Sequence, residues 1–168
     1  MYQNRKAWLT MTGISEGTVT SPLTKNSGYD VIVTGVSGPE VFSDYSSHPF
    51  AVGPDPASWR APKVINSSGL SSTASGRYQI LRRYWLSYAK QLGLKDFGPD
   101  SQDAYVMQQL RERSALPLID GGYFDAAMRA VSGLWASFPG KPYPGQQQHP
   151  LDHLRSVFVA SGGLLTAT

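Results

Sequence analysis

The hydrophobic positions of this chain recur at helical spacing in several stretches. Near the N-terminus, Ala7, Met11 and Ile14 share one face and lie beside Trp8, which predicts a helix that ends at Gly17. The strongest later pattern predicts a helix that is closed by Gly93. Its inward stripe comprises Tyr78, Leu81, Trp85, Tyr88 and Leu92.

Three more helices are expected in the C-terminal half of the chain. One opens at Pro99 and ends near Pro117, because proline is favoured in the first turn of a helix and disfavoured in its interior. A second runs over residues 124–135. The last starts at Pro150, after a loop over residues 141–149, and ends before a Gly-Gly pair at 162–163.

A different pattern follows the first helix. The β-branched and aromatic runs at residues 29–35 and 40–45 flank a Gly-Pro turn, which predicts a β hairpin. Residues 46–75 are rich in Pro, Ser and Gly without a helical period, which is typical of a functional flap or a disordered insert. Trp59 and the prolines of this run favour a partly ordered loop over a free linker. The expected fold class is therefore α+β, a mostly helical body with a small β hairpin.

Composition limits the number of domains and the compartment. The 168 residues, 40% of them hydrophobic, can bury one sizeable core, so a single domain over residues 1–168 is expected. The chain has no Cys, which suits folding in a reducing cytosol. No apolar run has the length of a signal peptide or a membrane span, so work outside the cytoplasm would need another route of release.

The charge of the chain favours an anionic partner. The net charge of +3 and the pI of about 9.2 are compatible with nucleic acid, a membrane surface or a cell wall. Charged residues make up only 16% of the chain, and no dense basic tract is present. A nucleic-acid-binding arm is therefore disfavoured. The simplest interpretation of Arg82, Arg83, Arg111 and Arg113 is a solvated basic face.

Glu16 is the leading candidate for acid–base chemistry. A carboxylate in the last turn of a helix faces the negative end of the helix dipole, which disfavours its charged form, and partial burial acts in the same direction. Both effects raise the pKa toward the value that a general acid needs near neutral pH. The alternative is that Glu16 is an ordinary exposed residue at a helix end.

Two aspartates could supply a second carboxylate. Asp30 and Asp44 lie in the predicted hairpin, and glycosidases use a pair of carboxyl groups about 5–9 Å apart. The alternative is that both aspartates cap local backbone.

Several polar side chains could contact a ligand. In the run 75–79, Gly76 permits a close approach and Gln79 offers an amide that can bind sugar hydroxyls, whereas Tyr78 could equally belong to the core. A lone His48 before a proline suggests a loop hydrogen bond. His149 and the histidine four residues later could bridge a metal ion, but no third ligand has suitable spacing, so no metal is expected.

The chain resembles a known family over nearly its whole length. The matching pieces, in order, are Asn4-Arg5-Lys6-Ala7, Ser15-Glu16-Gly17-Thr18, Gly28-Tyr29-Asp30-Val31-Ile32-Val33, Phe42-Ser43-Asp44-Tyr45-Ser46 with His48-Pro49, Gly76-Arg77-Tyr78-Gln79, Lys90-Gln91-Leu92-Gly93-Leu94-Lys95-Asp96-Phe97, Ser101-Gln102-Asp103-Ala104, Ala115-Leu116-Pro117 with Ile119-Asp120, and Trp135-Ala136-Ser137 with Pro139-Gly140. On these residues the chain resembles the phage lambda endolysin family, the lysozyme-fold lytic transglycosylases of tailed phages. The main departure is the run between Pro49 and Gly76, which is longer than in the lambda enzyme.

The resemblance implies a reaction and a site. It implies a lysozyme-like fold whose hairpin flanks a glycan cleft, and cleavage of the β-1,4 bond between N-acetylmuramic acid and N-acetylglucosamine of peptidoglycan, with 1,6-anhydromuramoyl ends as product. The family's single catalytic acid falls on Glu16, and no cofactor or metal is implied. The residues expected to bind substrate are Tyr29, Asp30, Tyr45, His48, Ser75, Tyr78, Gln79, Gln108 and Tyr143.

The resemblance also implies partners and a place of action. The expected partners are peptidoglycan glycan strands, with no nucleic acid and no stable membrane insertion, and the expected state is a monomer. Like its relatives, the protein would wait in the host bacterial cytoplasm until a phage holin releases it to the cell wall. Three alternatives remain open: a hydrolytic muramidase that uses Asp30 or Asp44, a non-catalytic glycan-binding module, and a basic nucleic-acid binder.

Overall fold

The computed structural model describes residues 2–140 and 148–166 of the chain. The chain divides into two compact units, one made of Met1–Glu16 and Val106–Thr168 and the other of Gly17–Tyr105. The single catalytic domain expected from the sequence stays a prediction.

The secondary structure confirms the α+β class. In chain order, the described residues form helices α1 (Gln3–Ser15), α2 (Arg82–Leu92), α3 (Pro99–Glu112), α4 (Ala115–Asp120), α5 (Phe124–Ala130) and α6 (Leu151–Ala160). Short strands β1 (Val31–Gly35) and β2 (Gly38–Val41) form one antiparallel hairpin, and β3 (Lys63–Val64) and β4 (Ser71–Ser72) form another. Across these described residues, no helix has the length and apolar character needed to cross a membrane.

Helix α1 is the centre of the first unit. Its Trp8 is fully buried, and the rings of Phe124, Phe138 and Phe158 lie 5.6–6.2 Å from it between centroids. At the start of the helix, the Asn4 amide donates to the carbonyl of Ile119 (2.9 Å) and accepts from the backbone N–H of Leu164 (2.8 Å). Apolar burial and one polar side chain therefore hold α1 against the C-terminal part of the chain.

Two helix predictions in this unit were wrong at their ends. The helix that opens at Pro99 does not reach Pro117, because Ser114 has a positive φ of 53° and separates α3 from α4. The helix predicted over residues 124–135 stops at Ala130, and Trp135 lies in the turns that follow. The last helix is confirmed, with Pro150 as its N-cap.

The predicted hairpin is confirmed in the second unit, although its second strand is shifted. β2 covers Gly38–Val41, so most of the run predicted as a strand at 40–45 lies beyond it. Pro39 is tolerated inside β2 because the sheet has only two strands, so its outer edge needs no backbone donor.

The segment over residues 46–75 contains regular structure, in agreement with the predicted partly ordered loop. The β3–β4 hairpin lies within it, and the buried Lys63 donates from Nζ to the carbonyl of Gly38 (2.8 Å) and pairs with Glu40 (3.1 Å). Arg60 also pairs with Glu40 at 2.6 Å. These contacts attach the segment to the first hairpin. Strands of two residues leave no alternating pattern that a sequence could reveal.

Helix α2 begins four residues later than its hydrophobic stripe predicts. Gln79 has a positive φ of 49°, and Ser75 and Ile80 form an antiparallel bridge across the intervening turn. The run that begins with Tyr78 is therefore a turn, and its first helical residue is Arg82. Gly93, at φ 66°, ends the helix as predicted.

A buried glutamine holds this turn in place. Gln102 of α3 accepts from the backbone N–H of Arg77 (2.9 Å) and donates to the carbonyls of Tyr29 (3.0 Å) and Phe97 (2.8 Å). Gly76 permits this contact, because a Cβ at that position would lie 2.2 Å from the Gln102 Oε1 atom.

Substitution of Gly76 by Ala is expected to destabilise the protein far more than the same change at Gly53. Both glycines have positive φ, 76° and 88°, but a Cβ at Gly53 has nothing within 4 Å. Gly53→Ala should cost about 1–2 kcal/mol for its backbone conformation, whereas Gly76→Ala should cost roughly 3 kcal/mol or more because it also displaces Gln102. Urea unfolding measures both values, and equal losses would contradict this account of the turn.

Candidate active site

Glu16 lies immediately after the last residue of α1. Its backbone keeps a helical conformation, and its N–H donates to the carbonyl of Thr12 at 3.0 Å. Gly17 then adopts a positive φ of 72°, so the chain leaves the helix axis at once. The side chain of Glu16 is partly buried rather than an exposed helix end.

Two serines surround the Glu16 carboxyl group. The hydroxyl of Ser137 donates to Glu16 Oε1 at 2.5 Å. The hydroxyl of Ser15 lies 3.0 Å from that of Ser137 and donates to the carbonyl of Thr12 at 2.9 Å. Both serines are buried, so they form a fixed polar support in a region with little water.

The pKa of Glu16 is raised from its ordinary value of 4.5 to about 7. Burial is the main cause, because it disfavours the charged carboxylate. The hydrogen bonds from the hydroxyl and backbone of Ser137 act in the opposite direction. The predicted rise is confirmed, with burial as its principal source. Near neutral pH this carboxyl group can therefore both give and accept a proton.

His149 supports the same two serines from another segment. Its backbone N–H donates to the carbonyl of Ser137 (2.9 Å), and its Nε2 donates to the carbonyl of Ser15 (3.1 Å). The rings of His149 and His153 are 5.3 Å apart between centroids. Within residues 2–140 and 148–166, no cluster of three or more His, Asp or Glu side chains could hold a metal ion.

Two of the expected substrate-binding tyrosines meet on one aspartate in the second unit. The hydroxyls of Tyr29 (2.8 Å) and Tyr78 (2.6 Å) both donate to Asp103 Oδ1. The guanidinium of Arg77 lies over the Tyr29 ring at 4.9 Å from its centroid. Burial raises the pKa of Asp103, and it raises the pKa of both tyrosines. Tyr78 is 1% exposed, so packing is its main role here.

Both candidate second carboxylates make local backbone contacts. Asp30 is 4% exposed, and it accepts hydrogen bonds from the hydroxyl of Thr24 and the backbone N–H of Lys25 (2.8 Å). Asp44 is exposed and accepts from the backbone N–H of Ser46 at 2.8 Å, and hydrogen bonds from the side chain and backbone of Ser46 lower its pKa. Each therefore has the geometry of a loop cap.

Tyr45 and His48 pack within the second unit. The hydroxyl of Tyr45 accepts from the side chain of Asn26 at 2.8 Å. His48 is fully buried, with Nε2 donating to the carbonyl of Ile80 (2.9 Å) and Nδ1 accepting from the backbone N–H of Phe50 (3.2 Å). Burial lowers the pKa of His48 to about 4. The ring is therefore neutral at pH 7 and makes the loop hydrogen bonds that the sequence suggested, and its expected contact with substrate stays a prediction.

The remaining expected contacts are dispersed. Ser75 is fully buried, and its backbone pairs with Ile80. Gln79 is partly exposed and donates from Nε2 to the carbonyl of Gly76 at 3.1 Å. Gln108, in the first unit, bonds Glu112 (2.8 Å) along α3. Tyr143 lies outside the described residues.

Sequence reasoning missed the residues that support Glu16. Ser137 and His149 are more than a hundred positions away in the chain, and neither residue type carries a catalytic motif at that spacing. The run Trp-Ala-Ser before Pro139 matched the family, but the match assigned no role to Ser137. Asp103 was missed for a similar reason, because its tyrosine partners come from distant parts of the sequence.

Comparisons with known proteins agree on one family. The family model described as Endolysin matches residues 6–165. The chain is 51% identical to the endolysin of Escherichia phage P2 over 164 residues, which cover 97% of this chain and 95% of that protein. It is 48% identical to the endolysin of Escherichia phage lambda over 160 residues, which cover 95% and 91%.

Solved structures give the same result for the fold. Bacteriophage lambda lysozyme complexed with a chitohexasaccharide matches with a TM-score of 0.85 at 46% identity, covering 99% of this chain and 98% of that one. A second structure of lysozyme from bacteriophage lambda matches with a TM-score of 0.81 at 44% identity and the same coverage. The fold is therefore lysozyme-like.

Replacing Glu16 by Gln is expected to stabilise the protein in alkaline solution. Glu16 is protonated in both the folded and the unfolded chain below pH 4.5, but above a folded-state pKa of about 7 the fold must bury a carboxylate. This penalty develops between the two pKa values and is then constant. Glu16→Gln should therefore gain about 2–3 kcal/mol near pH 9 and almost nothing near pH 4, as measured by urea unfolding.

Glu40→Gln is the control, because it should change the free energy of unfolding in alkaline solution in the opposite direction. Arg60 holds the pKa of Glu40 at about 2, so its contribution to stability is present above pH 4.5 and is lost as the pH falls toward 2. The Arg60 contact is largely exposed, but Glu40 also pairs with the buried Lys63, so Glu40→Gln should lose about 1–2 kcal/mol near pH 9. A loss of stability for Glu16→Gln at the same pH would contradict the account of Glu16.

Proposed function

This chain belongs to the endolysin family, and on that premise we propose that it is a peptidoglycan lytic transglycosylase with Glu16 as its general acid and base. Membership of the family and the lysozyme-like fold are consistent with cleavage of peptidoglycan. The proposal adds the bond, the mechanism and the residue. The bond is the β-1,4 linkage between N-acetylmuramic acid and N-acetylglucosamine, and the product carries a 1,6-anhydromuramoyl end.

The observation that carries the proposal is the partly buried carboxyl group of Glu16 at the end of α1, which Ser137 holds by a hydrogen bond of 2.5 Å and whose pKa burial raises to about 7. In the first step, protonated Glu16 gives its proton to the glycosidic oxygen, and the bond from that oxygen to the anomeric carbon of the muramic acid breaks. In the second step, the Glu16 carboxylate takes the proton of the C6 hydroxyl while the C6 oxygen bonds to the anomeric carbon. One carboxyl group performs both transfers and returns to its starting state, so no water is consumed.

The contacts of the two aspartates favour this mechanism over hydrolysis. A hydrolytic muramidase needs a second carboxylate as base or nucleophile. Asp30 is buried and accepts a local hydrogen bond from the backbone N–H of Lys25, and Asp44 caps the turn at Ser46. Both serve local structure, which supports a reaction in which the sugar supplies its own nucleophile. Hydrolysis through Asp30 or Asp44 remains the alternative enzyme.

The proposed partner is the glycan strand of peptidoglycan. The related lambda lysozyme has been solved in complex with a chitohexasaccharide, which supports glycan binding by this chain. Of the expected set, Tyr29, Tyr45 and Gln79 are partly exposed in the second unit and Gln108 is partly exposed in the first, so each can be reached by a sugar. The hydrogen bond from Ser137 to Glu16 argues against a non-catalytic module, because such a module would not need a positioned carboxyl group. The low content of charged residues, 16%, argues against a nucleic-acid binder.

We also propose that the protein acts as a monomer and reaches the cell wall from the host cytoplasm when a holin opens the membrane. Endolysins of phages P2 and lambda are its relatives, and the absence of Cys suits synthesis in a reducing compartment. Expression with and without a holin, followed by measurement of lysis, tests this route.

Glu16→Gln should abolish lytic activity while the protein stays folded. The amide keeps the shape of the side chain but has no transferable proton, so the rate on purified sacculi should fall by at least about a hundredfold. Mass spectrometry of the wild-type digest should find anhydromuramoyl ends.

Asp44→Asn is the matched control, since it also replaces one carboxylate by an amide, and Asp30→Asn tests the buried aspartate. Both should lose much less activity than Glu16→Gln. Wild-type activity in Glu16→Gln would refute the role of Glu16. Reducing ends in the digest, with a large loss at either aspartate in a folded variant, would identify the hydrolase instead.

A further inference from the structure

We infer that Ser137 is a positioning residue that holds the carboxyl group of Glu16 through a hydrogen bond to Oε1 and so fixes the orientation in which that group gives and takes the proton. The inference deepens the proposed function and rests on the role of Glu16 as general acid and base. It assigns a task to Ser137, which sequence reasoning left without one.

The geometry around Oε1 is the first support. The Ser137 hydroxyl is 2.5 Å from Oε1, within the range of a short hydrogen bond to a carboxylate. The backbone of Ser137 also hydrogen-bonds this carboxyl group. Two contacts from one residue restrict the rotation of the carboxyl group, so it presents its proton in a fixed orientation.

The second support is that Ser137 cannot easily turn away. The Ser137 hydroxyl donates its proton to Oε1, and the hydroxyl oxygen of Ser15 lies 3.0 Å from the hydroxyl oxygen of Ser137. Ser15 in turn is held by the carbonyl of Thr12 at 2.9 Å. Oε1 can accept from Ser137 in both protonation states of Glu16, so the contact persists when the carboxyl group gains or loses its proton.

The third support is that the Ser137 backbone is anchored to the core and to a third segment. Phe138 is fully buried, and its ring packs against Trp8 (6.2 Å) and Trp135 (5.0 Å) between centroids. The carbonyl of Ser137 accepts from the backbone N–H of His149 at 2.9 Å. Helix α1 therefore carries Glu16 at its end and, through Trp8, also fixes the turn that carries Ser137.

The charged surroundings of Glu16 are simple in this unit. Helix α1 has no basic residue in its last turn, and the turn over residues 135–140 has no charged side chain. The titratable group on the adjoining segment is His149, which bonds the Ser15 carbonyl rather than the carboxyl group. Within the described parts of the chain, burial and Ser137 are the causes of the shifted pKa of Glu16.

Removal of the Ser137 hydroxyl should change the dependence of the rate on pH. Ser137 favours the ionised carboxylate, so its loss raises the pKa of Glu16, and the decline of kcat/KM in alkaline solution should move up by about one pH unit. Less exact placement of the proton should also lower kcat about tenfold while KM changes by less than about twofold. The measurement is the initial rate on soluble glycan strands from pH 5 to pH 9.

Four variants make the test decisive. Ser137→Ala removes the hydroxyl, and Ser137→Cys keeps its size but donates weakly, so both should show the alkaline shift even if one of them folds poorly. Ser137→Thr keeps a hydroxyl and should restore the wild-type profile. Ser156→Ala, which removes an exposed hydroxyl bonded to the carbonyl of Asp152 in α6, should leave the profile unchanged.

The outcomes separate this inference from the proposed function. One outcome is that Glu16→Gln is inactive, whereas Ser137→Ala and Ser137→Cys unfold at a lower temperature but keep the wild-type kcat and the wild-type decline of kcat/KM in alkaline solution. Ser137 would then be merely structural, and the inference would be overturned. If Glu16→Gln remains active, the proposed function fails first. The inference is supported if the alkaline decline of kcat/KM moves to higher pH in both Ser137→Ala and Ser137→Cys and returns to its wild-type position in Ser137→Thr.

Discussion

The candidate site depends on one carboxyl group that the fold partly buries. Glu16 sits at the end of a helix whose Trp8 is among the most completely buried side chains of the protein. Its environment raises its pKa to about 7, and the fold bears the free-energy cost of that burial whenever the group ionises. Such a cost is characteristic of a functional site, because a residue that only stabilised the helix end would gain nothing from it.

The same packing that stabilises the first unit also defines the surroundings of Glu16. Trp8 contacts Phe138, and Ser137 precedes Phe138 in the chain, so the aromatic cluster brings a hydroxyl to the carboxyl group. His149 then ties Ser137 and Ser15 together through two carbonyls. A change in the core would therefore be felt at Glu16 without any direct contact, and this coupling explains how a helix end becomes a precise site.

Local sequence patterns predicted the elements that follow from periodicity and from strong helix signals. The first helix, the hairpin near Val31, the glycine cap at Gly93 and the last helix are of this kind. The errors occur where tertiary contacts impose a positive φ on a residue other than glycine, at Gln79 and Ser114. Helical periodicity continues through such positions, so a pattern alone cannot locate the break.

The site was predictable only in part for the same reason. Glu16 was identified from its place before a helix-ending glycine, and the family resemblance supported it. Ser137 could not be found in this way, because its contact with Glu16 joins residues 121 positions apart. The surroundings of His48 were equally hidden, since a sequence does not reveal that both of its ring nitrogens form hydrogen bonds inside the protein.

The central claim is that Glu16 exchanges its proton near neutral pH, and a direct titration tests it. The only glutamates in the chain are Glu16, Glu40 and Glu112, so selective ¹³C labelling of the glutamate carboxyl groups gives a simple NMR spectrum, and Glu16→Gln identifies the signal of Glu16. The account predicts a midpoint for Glu16 at about pH 7. A midpoint near the ordinary value of 4.5 would contradict it.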